Sequence, residues 1–475
     1  MQLTHSSAIA WLLVTATLSC AAAVGGAQAS ISDDDVRAIL AARVDALTAG
    51  AGGVGIVAGR LNAGGRRVLS AGHLDIGKRR PVDGDTLFEI GSVTKAFTAL
   101  LLADMTTRGE LRLEDRVLSH LAPGTKVPER NGRAITLLDL ATHTAGLPFM
   151  PDGNQPAMDE SAAAARRRLY RFISDYKVTS AIGDTWDYSN LGYWLLSEAL
   201  AAKGAASFDR LLQVRILEPL RLRSTTLKPS LEMKRRLAAG HDAAMNPTRS
   251  FSEVPVYRDM PAAGGLLSTA DDLLTFLAVA TGQLDSPLRP AIRATMATRR
   301  PTGRKGEMQA LGWVIEGDEK STLIVHDGGT WGYASSMMWD PSTGEGVVVL
   351  SNHVGRVDDI ARHILRPDSP LQPPPPRPKE ITLPAATLAR YAGRYEADGE
   401  GVFVVRRGAI GITIQLPDDW GLPTLQLRAE SRTDFFVAEL PMRVTFELNN
   451  GGLPDAAVIH PPRGQKPVRA LRRPR

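Results

Sequence analysis

The chain has 475 residues, 43% hydrophobic and 23% charged, which is enough to bury a large core and to form two domains. Its single cysteine, Cys20, excludes a disulfide framework, and removal of the leading segment would also exclude thiolate chemistry. The net charge of +5 gathers at the end, in Arg463, Lys466, Arg469, Arg472, Arg473 and Arg475. The body is therefore close to neutral, without the basic face of a nucleic-acid binder, and the basic end suits plain solvation or an anionic cell-wall or membrane surface.

Residues 1–29 carry no Lys, Arg, Asp or Glu. The apolar stretch Ala8 to Leu18, followed by Ala27-Gln28-Ala29, reads as a signal peptide cleaved before Ser30, which predicts a periplasmic or secreted protein. A retained anchor is an alternative, although the apolar stretch is short for a membrane span. Lipidation at Cys20 after Leu18-Ser19 is another, although Thr17 stands where a lipobox usually has Leu.

Asp33 to Thr48 has helical periodicity, with Val36, Ile39, Leu40 and Leu47 inward and Ser32 as N-cap. Val54 to Arg60 and Arg66 to Ala71 are strand-like runs joined by Asn62-Ala63-Gly64-Gly65, a hairpin signal. Gly53-Val54-Gly55-Ile56-Val57-Ala58 formally matches a dinucleotide fingerprint, but it is itself the strand, so no nucleotide site is expected. Leu87 to Ile90 then meets Gly91, and Ser92-Val93-Thr94-Lys95 opens a helix running to about Arg108. Serine and lysine at i and i+3 share one helical face, so the amine can take the hydroxyl proton. Ser174-Asp175-Tyr176-Lys177 repeats the spacing in a charged stretch and reads as a solvated helix face.

From Leu100 to about Ala280 the pattern is mainly helical. Ile135 to Leu140 reads as a helix leaving through Ala141 to Pro148, and Tyr193 to Ala202 as another. Tyr188-Ser189-Asn190, the only Tyr-x-Asn in the chain, lies just before the second. Four strands are expected at Leu311 to Ile315, Leu323 to His326, Ala334 to Trp339 and Gly346 to Ser351, with a turn at Gly328-Gly329, and then a helix over Val357 to Leu365. The run Leu323-Ile324-Val325 ends in His326-Asp327-Gly328-Gly329; His353-Val354-Gly355 has similar spacing but leads out of the last strand, so His326 is preferred. The ends of this region share one sheet, with the helical middle beside it. Residues 367–384 hold eight prolines and read as a stiff linker. Beyond them, alternating runs at Val402 to Val405, Ile410 to Leu416, Thr424 to Arg428, Phe435 to Leu440 and Val444 to Leu448 predict a small β-barrel or sandwich over 385–475.

A serine hydroxyl needs a base within hydrogen-bond reach to become a nucleophile. Lys95 serves if burial lowers its pKa, and Tyr188 beside it is a second proton carrier. The Ser92 N–H, at a helix start, is a natural oxyanion donor. The bland readings are that Ser92 is only an N-cap, Tyr188 a core tyrosine and Asn190 a loop residue.

Ser92-x-x-Lys95, Tyr188-x-Asn190 and His326-Asp327-Gly328, in this order, resemble the penicillin-recognising serine hydrolases: class C β-lactamases, DD-peptidases and related esterases. The resemblance covers roughly residues 32–366 and includes Phe88 to Lys95, Thr136 to Pro148 and Pro261 to Leu266, segments similar to class C-like enzymes and AmpH-type carboxypeptidases. It implies an α+β fold, an antiparallel sheet flanked by helices with a helical subdomain and the nucleophile between them. It also implies an acyl-enzyme on Ser92, a second oxyanion donor at Gly329, and substrate contacts at Asn190, His326, Gly328 and Gly329. A β-lactam, a peptidoglycan stem peptide or a simple ester would be the substrate; the alternative is a non-catalytic protein that uses the fold and the C-terminal β domain to bind cell wall. No cofactor is expected, because the nine histidines are dispersed and no His-Glu-x-x-His occurs. Classical β-lactamases carry Lys-Thr-Gly where this chain has His326-Asp327-Gly328. A mostly neutral histidine with Asp327 nearby offers less to a substrate carboxylate than a lysine does, which counts against strong hydrolysis of penicillins or cephalosporins and leaves D-amino-acid peptides and simple esters open.

Overall fold

The structure is a computed structural model and describes residues 31–473, apart from 49–51, 76–79, 152–159, 251–252, 254–257, 319–320, 374–377, 409–410, 418–423, 439, 441 and 462–465. The expected signal peptide, its cleavage site and Cys20 lie outside the described residues, as do Arg463 and Arg475.

Alternation and a tight turn at Ala63-Gly64 make the first hairpin, β1 (Gly55–Asn62) with β2 (Gly65–Gly72). Four short strands follow outside the main sheet: β3 (Phe88–Glu89) pairs with β6 (Leu267–Ser268), and β4 (Glu129–Arg130) pairs with β5 (Arg133–Ala134). The later strands are β7 (Arg300–Pro301), β8 (Glu307–Ala310), β9 (Trp313–Glu316), β10 (Leu323–Gly329), β11 (Ala334–Trp339) and β12 (Gly346–Ser351). Together they form an eight-stranded antiparallel sheet in the order β2-β1-β12-β11-β10-β9-β8-β7. The first hairpin joins the later strands through β1 and β12, where Ile56 faces Ser351 and Leu61 faces Gly346.

Each face of the sheet buries a different helical layer. On one face lie α1 (Asp33–Thr48) and the helix Asp358–Leu365, packing Val36, Leu40 and Ile360 onto Val325, Met338 and Val349. A buried Arg43–Asp359 ion pair ties those two helices together. The other face carries α2 (Thr94–Thr107), which is buried from Thr94 to Met105. A helix apolar on every side belongs in the middle of a fold, and α2 lies between the sheet and the helical region. That region includes α3 (Leu137–Ala141), α4 (Ala162–Asp175) and α5 (Asn190–Lys203). A reciprocal cap between Thr136 and Asp139 starts α3, shorter than its periodicity predicted.

Two sequence expectations change here. Strand β10 does not stop at His326 but continues through Gly329, so the turn is Thr330 to Tyr333 rather than Gly328-Gly329. The ladder to β11 holds the two glycines extended, with Gly328 opposite Ser335 and Gly329 opposite Ala334.

Between Gly393 and Arg473 eight antiparallel strands close into a barrel in sequence order, with Arg394 opposite Arg473 at the seam. Tyr395, Phe403, Phe435 and Phe446 fill its interior, as expected for a barrel of this size. Three of the six basic residues at the end lie in the last barrel strand, Val468–Arg473: Arg469 pairs with Glu447, Arg473 pairs with Glu396, and Arg472 donates to the Ala392 and Pro454 carbonyls. The barrel touches the rest of the chain where the Ala243 N–H donates to the Ala438 carbonyl at 3.0 Å and Phe436 packs on Ala244. Among the described residues, no helix is long and apolar enough to cross a membrane.

Candidate active site

Strand β3 delivers the chain to Ile90 and Gly91, after which a 3-10 turn over Gly91–Val93 runs into α2. Two close backbone contacts fix this corner. Gly91 has φ +47°, and a Cβ there would lie 2.7 Å from the Gly329 nitrogen and oxygen. A Cβ on Gly328 would lie 2.1 Å from the Ile90 carbonyl oxygen. Only glycines allow this approach, which brings the Gly329 backbone beside the turn carrying Ser92. The Ser335 hydroxyl also donates to the Ile90 carbonyl, and the Leu266 N–H donates to Thr94 Oγ1.

Lys95 follows one helical turn later, with none of its surface exposed. Its Nζ is 3.2 Å from Ser92 Oγ, 2.7 Å from Asn190 Oδ1 and 2.6 Å from the Ala263 carbonyl oxygen. Burial pushes its pKa well below the ordinary lysine value. All three partners can accept from the Nζ, and in the neutral amine, which keeps two N–H donors and one lone pair, the two short contacts use the donors and leave the lone pair for the Ser92 proton.

Tyr188 is half-buried, and its ring centroid lies 4.8 Å from Lys95 Nζ. Asn190 opens α5 because Ser189 caps it, the Ser189 Oγ accepting from the Gly192 N–H and donating to the Pro148 carbonyl. The helix therefore begins three residues earlier than expected, which points Asn190 at Lys95.

His326 is buried, its Nδ1 2.8 Å from the Asp327 carbonyl oxygen and its ring edge-on to Trp313. Asp327 does not sit beside it. Alternation along β10 sends the Asp327 side chain to the opposite sheet face, where it accepts from Ser336 Oγ at 2.7 Å and interacts with Arg356 and Arg362. The expectation that Asp327 adds negative charge next to His326 is thus corrected. The rival His353 lies past β12, with its Nδ1 accepting from the Gly355 N–H. Ser174, Asp175 and Lys177 are exposed where α4 ends, as a solvated face should be. Gly55 to Ala58 belong to β1 itself.

Two contributors were not assigned from sequence. The Ala263 carbonyl reaches Lys95, yet a backbone oxygen leaves no residue-type signal; only the segment Pro261 to Leu266 stood out. His143, from the segment Thr136 to Pro148, stacks on Tyr188 with ring centroids 4.2 Å apart. Among the described residues, no group of three or more His, Cys, Asp or Glu is placed to hold a metal ion.

Residues 40–368 match the family described as Beta-lactamase. This chain belongs to that family, and so to the serine hydrolases. It is 25% identical over 355 residues to the D-alanyl-D-alanine-carboxypeptidase/endopeptidase AmpH of Escherichia coli K12, covering 71% of this chain and 90% of that protein. It is 27% identical over 317 residues to the Beta-lactamase of the same organism, covering 59% and 79%. A class C beta lactamase structure from Rhodobacter sphaeroides superposes with a TM-score of 0.58 at 26% identity, covering 70% of this chain and 98% of that one. A Beta-lactamase/D-alanine Carboxypeptidase structure from Yersinia pestis shares the fold at TM-score 0.56 and 23% identity.

Proposed function

We propose that this protein is an exported serine acyl-hydrolase that opens β-lactam or D-Ala-D-Ala-type amide bonds through an acyl-enzyme on Ser92. The observation that carries the reading is the buried Lys95 amine, held by Asn190 and the Ala263 carbonyl with its remaining contact on Ser92 Oγ. Ser92 Oγ attacks the substrate carbonyl carbon as its proton passes to Lys95 Nζ, and the Ser92 and Gly329 N–H groups stabilise the oxyanion. Collapse breaks the C–N bond, and the leaving nitrogen receives the proton through Tyr188. Water then cleaves the ester and returns the proton to Ser92. Asn190 binds the substrate amide, and His326 with Gly328 and Gly329 faces its far end. Residues 30–366 carry this chemistry, 367–384 link it to the barrel unit of 385–475, and the substrate is a β-lactam, a peptidoglycan stem peptide or an ester. Export rests on the leading apolar segment, and any anionic wall or membrane contact on the basic end.

A second reading, an esterase or D-amino-acid peptidase with little β-lactamase activity, is favoured by one observation: His326 stands where a lysine would offer a permanent cation, and it is buried. Parallel turnover of a penicillin, a D-Ala-D-Ala peptide and a p-nitrophenyl ester tests this. Cleavage of all three that is lost in Ser92→Ala supports the first reading. Ester or peptide turnover with negligible penicillin cleavage supports the second, and full activity of Ser92→Ala refutes both.

A further inference from the structure

Tyr188 is held by one neighbouring segment through four consecutive residues. The Asp187 N–H donates to the His143 carbonyl at 2.7 Å, and the Ser189 N–H donates to His143 Nδ1 at 3.0 Å. Ser189 Oγ donates to the Pro148 carbonyl, and the Asn190 N–H donates to the Phe149 carbonyl. Between these contacts the Tyr188 ring stacks on the His143 ring at 4.2 Å with the planes 27° apart. His143 thus grips the residue before Tyr188, the residue after it and the ring itself.

The chain adopts an unfavourable backbone at this point to do so. His143 has φ +58°, a left-handed conformation uncommon outside glycine, although histidine adopts it more often than most residues, and it is only 1% exposed. A backbone N–H can donate only to an unprotonated ring nitrogen, so Nδ1 is the acceptor and the proton sits on Nε2. That Nε2 is buried with no hydrogen-bond partner among the described residues. Strain together with an unsatisfied buried donor is not what stability alone selects, and both lie beside Tyr188 and Lys95. Burial, then repulsion from the charged forms of Lys95 and His326, holds the His143 pKa well below the usual histidine value, so the ring stays neutral.

We infer that His143 is a positioning residue for the reaction: as the neutral Nε2–H tautomer it fixes the Tyr188 loop by its Nδ1, its carbonyl and its ring face, keeping Tyr188 against Lys95. This rests on the acyl-enzyme reading above.

Two substitutions separate its parts. His143→Phe keeps a stacking ring and loses the acceptor, whereas His143→Asn tolerates the backbone and places an oxygen where Nδ1 stood. The expected result is that His143→Phe acylates Ser92 about a hundredfold more slowly with KM within twofold of wild type, the loss typical of a displaced reacting group. His143→Asn should recover about tenfold of that loss. Wild-type acylation by a folded His143→Phe would overturn the inference. If His143→Phe does not fold, His143→Gln replaces it, its oxygen lying too far out to meet the Ser189 N–H, and equal rates for the Asn and Gln variants would overturn the inference. A crystal structure of the Phe or Gln variant reports the Tyr188 position whether or not substrate turns over. A protein without any Ser92 adduct therefore refutes the acyl-enzyme, whereas an unmoved Tyr188 refutes the positioning role.

Discussion

In the proposed reaction, a lysine without exposed surface is the residue on which the chemistry turns. Its amine accepts the Ser92 proton only when neutral, and burial moves its pKa in that direction. With the sign followed through, kcat/KM should rise as pH increases through the Lys95 pKa and level off above it, because protonation at lower pH removes the lone pair. The midpoint should lie well below the usual lysine value, as a pH–rate profile will show. Lys95→Arg carries a permanent cation and should lose about a thousandfold in kcat, within the range for removing a general base. At the other end of the site, His326→Lys restores a cation. It should lower KM about tenfold for a substrate bearing a carboxylate and leave the methyl ester of that substrate unchanged, since a hydrogen bond to a charged group contributes roughly 1.5–3 kcal/mol. Equal effects on acid and ester would exclude carboxylate contact. Asp327 does not oppose this change, being bonded to Ser336 on the far face.

At the scale of elements, the corner where β3, the Ser92 turn and β10 meet depends on glycine. Gly328→Ala would push a methyl into the Ile90 carbonyl and Ser335 Oγ. The expected destabilisation is about 1–3 kcal/mol by urea unfolding, with turnover falling alongside because Gly329 shifts with its neighbour. A variant with wild-type stability would mean the corner is not tightly packed. This scale also shows what was legible in the sequence. Asp33–Thr48, Ala334–Trp339 and Gly346–Ser351 match their expected ends because each is defined by residues buried on one or both faces. Strands β7 and β8 were missed because Arg300-Pro301 and Glu307–Ala310 carry little apolar alternation and owe their form to sheet-edge pairing. The last barrel strand hid for a related reason: of Val468–Arg473, only Ala470 is fully buried, and the arginines gave it the look of a solvated tail. In the candidate site, Ser92 and Lys95 were readable from residue type and spacing and Tyr188 and Asn190 from the family resemblance, and Lys95 contacts the other three. The Ala263 carbonyl and the His143 grip were not, because one is backbone and the other depends on a loop contact 46 residues away in the chain.

Across the whole molecule, the barrel reaches the active-site unit through a loop tied to the turn after β10. Asp242 organises that loop by accepting from the Ala244 and Asn246 N–H groups, while the preceding His241 N–H donates to the Gly332 and Asn352 carbonyls. Phe436 of the barrel, 2% exposed, packs on Ala244. Phe436→Ala should therefore cost about 3 kcal/mol of stability, at the low end of the range for a buried phenylalanine because small residues line the contact. Ser92 acylation should persist in the folded variant. Thermal unfolding followed alongside turnover checks this, and an unchanged melting temperature would show that the contact contributes nothing to stability.

The most direct measurement is intact-mass spectrometry of the protein after brief incubation with a penicillin, a cephalosporin and an activated ester, with Ser92→Ala alongside. The expected result is a mass increase equal to the acyl group, present with Ser92, absent in Ser92→Ala and decaying as the ester is hydrolysed. An equal adduct on Ser92→Ala, or substrate turnover by that variant at the wild-type rate, would contradict the assignment of Ser92 as nucleophile.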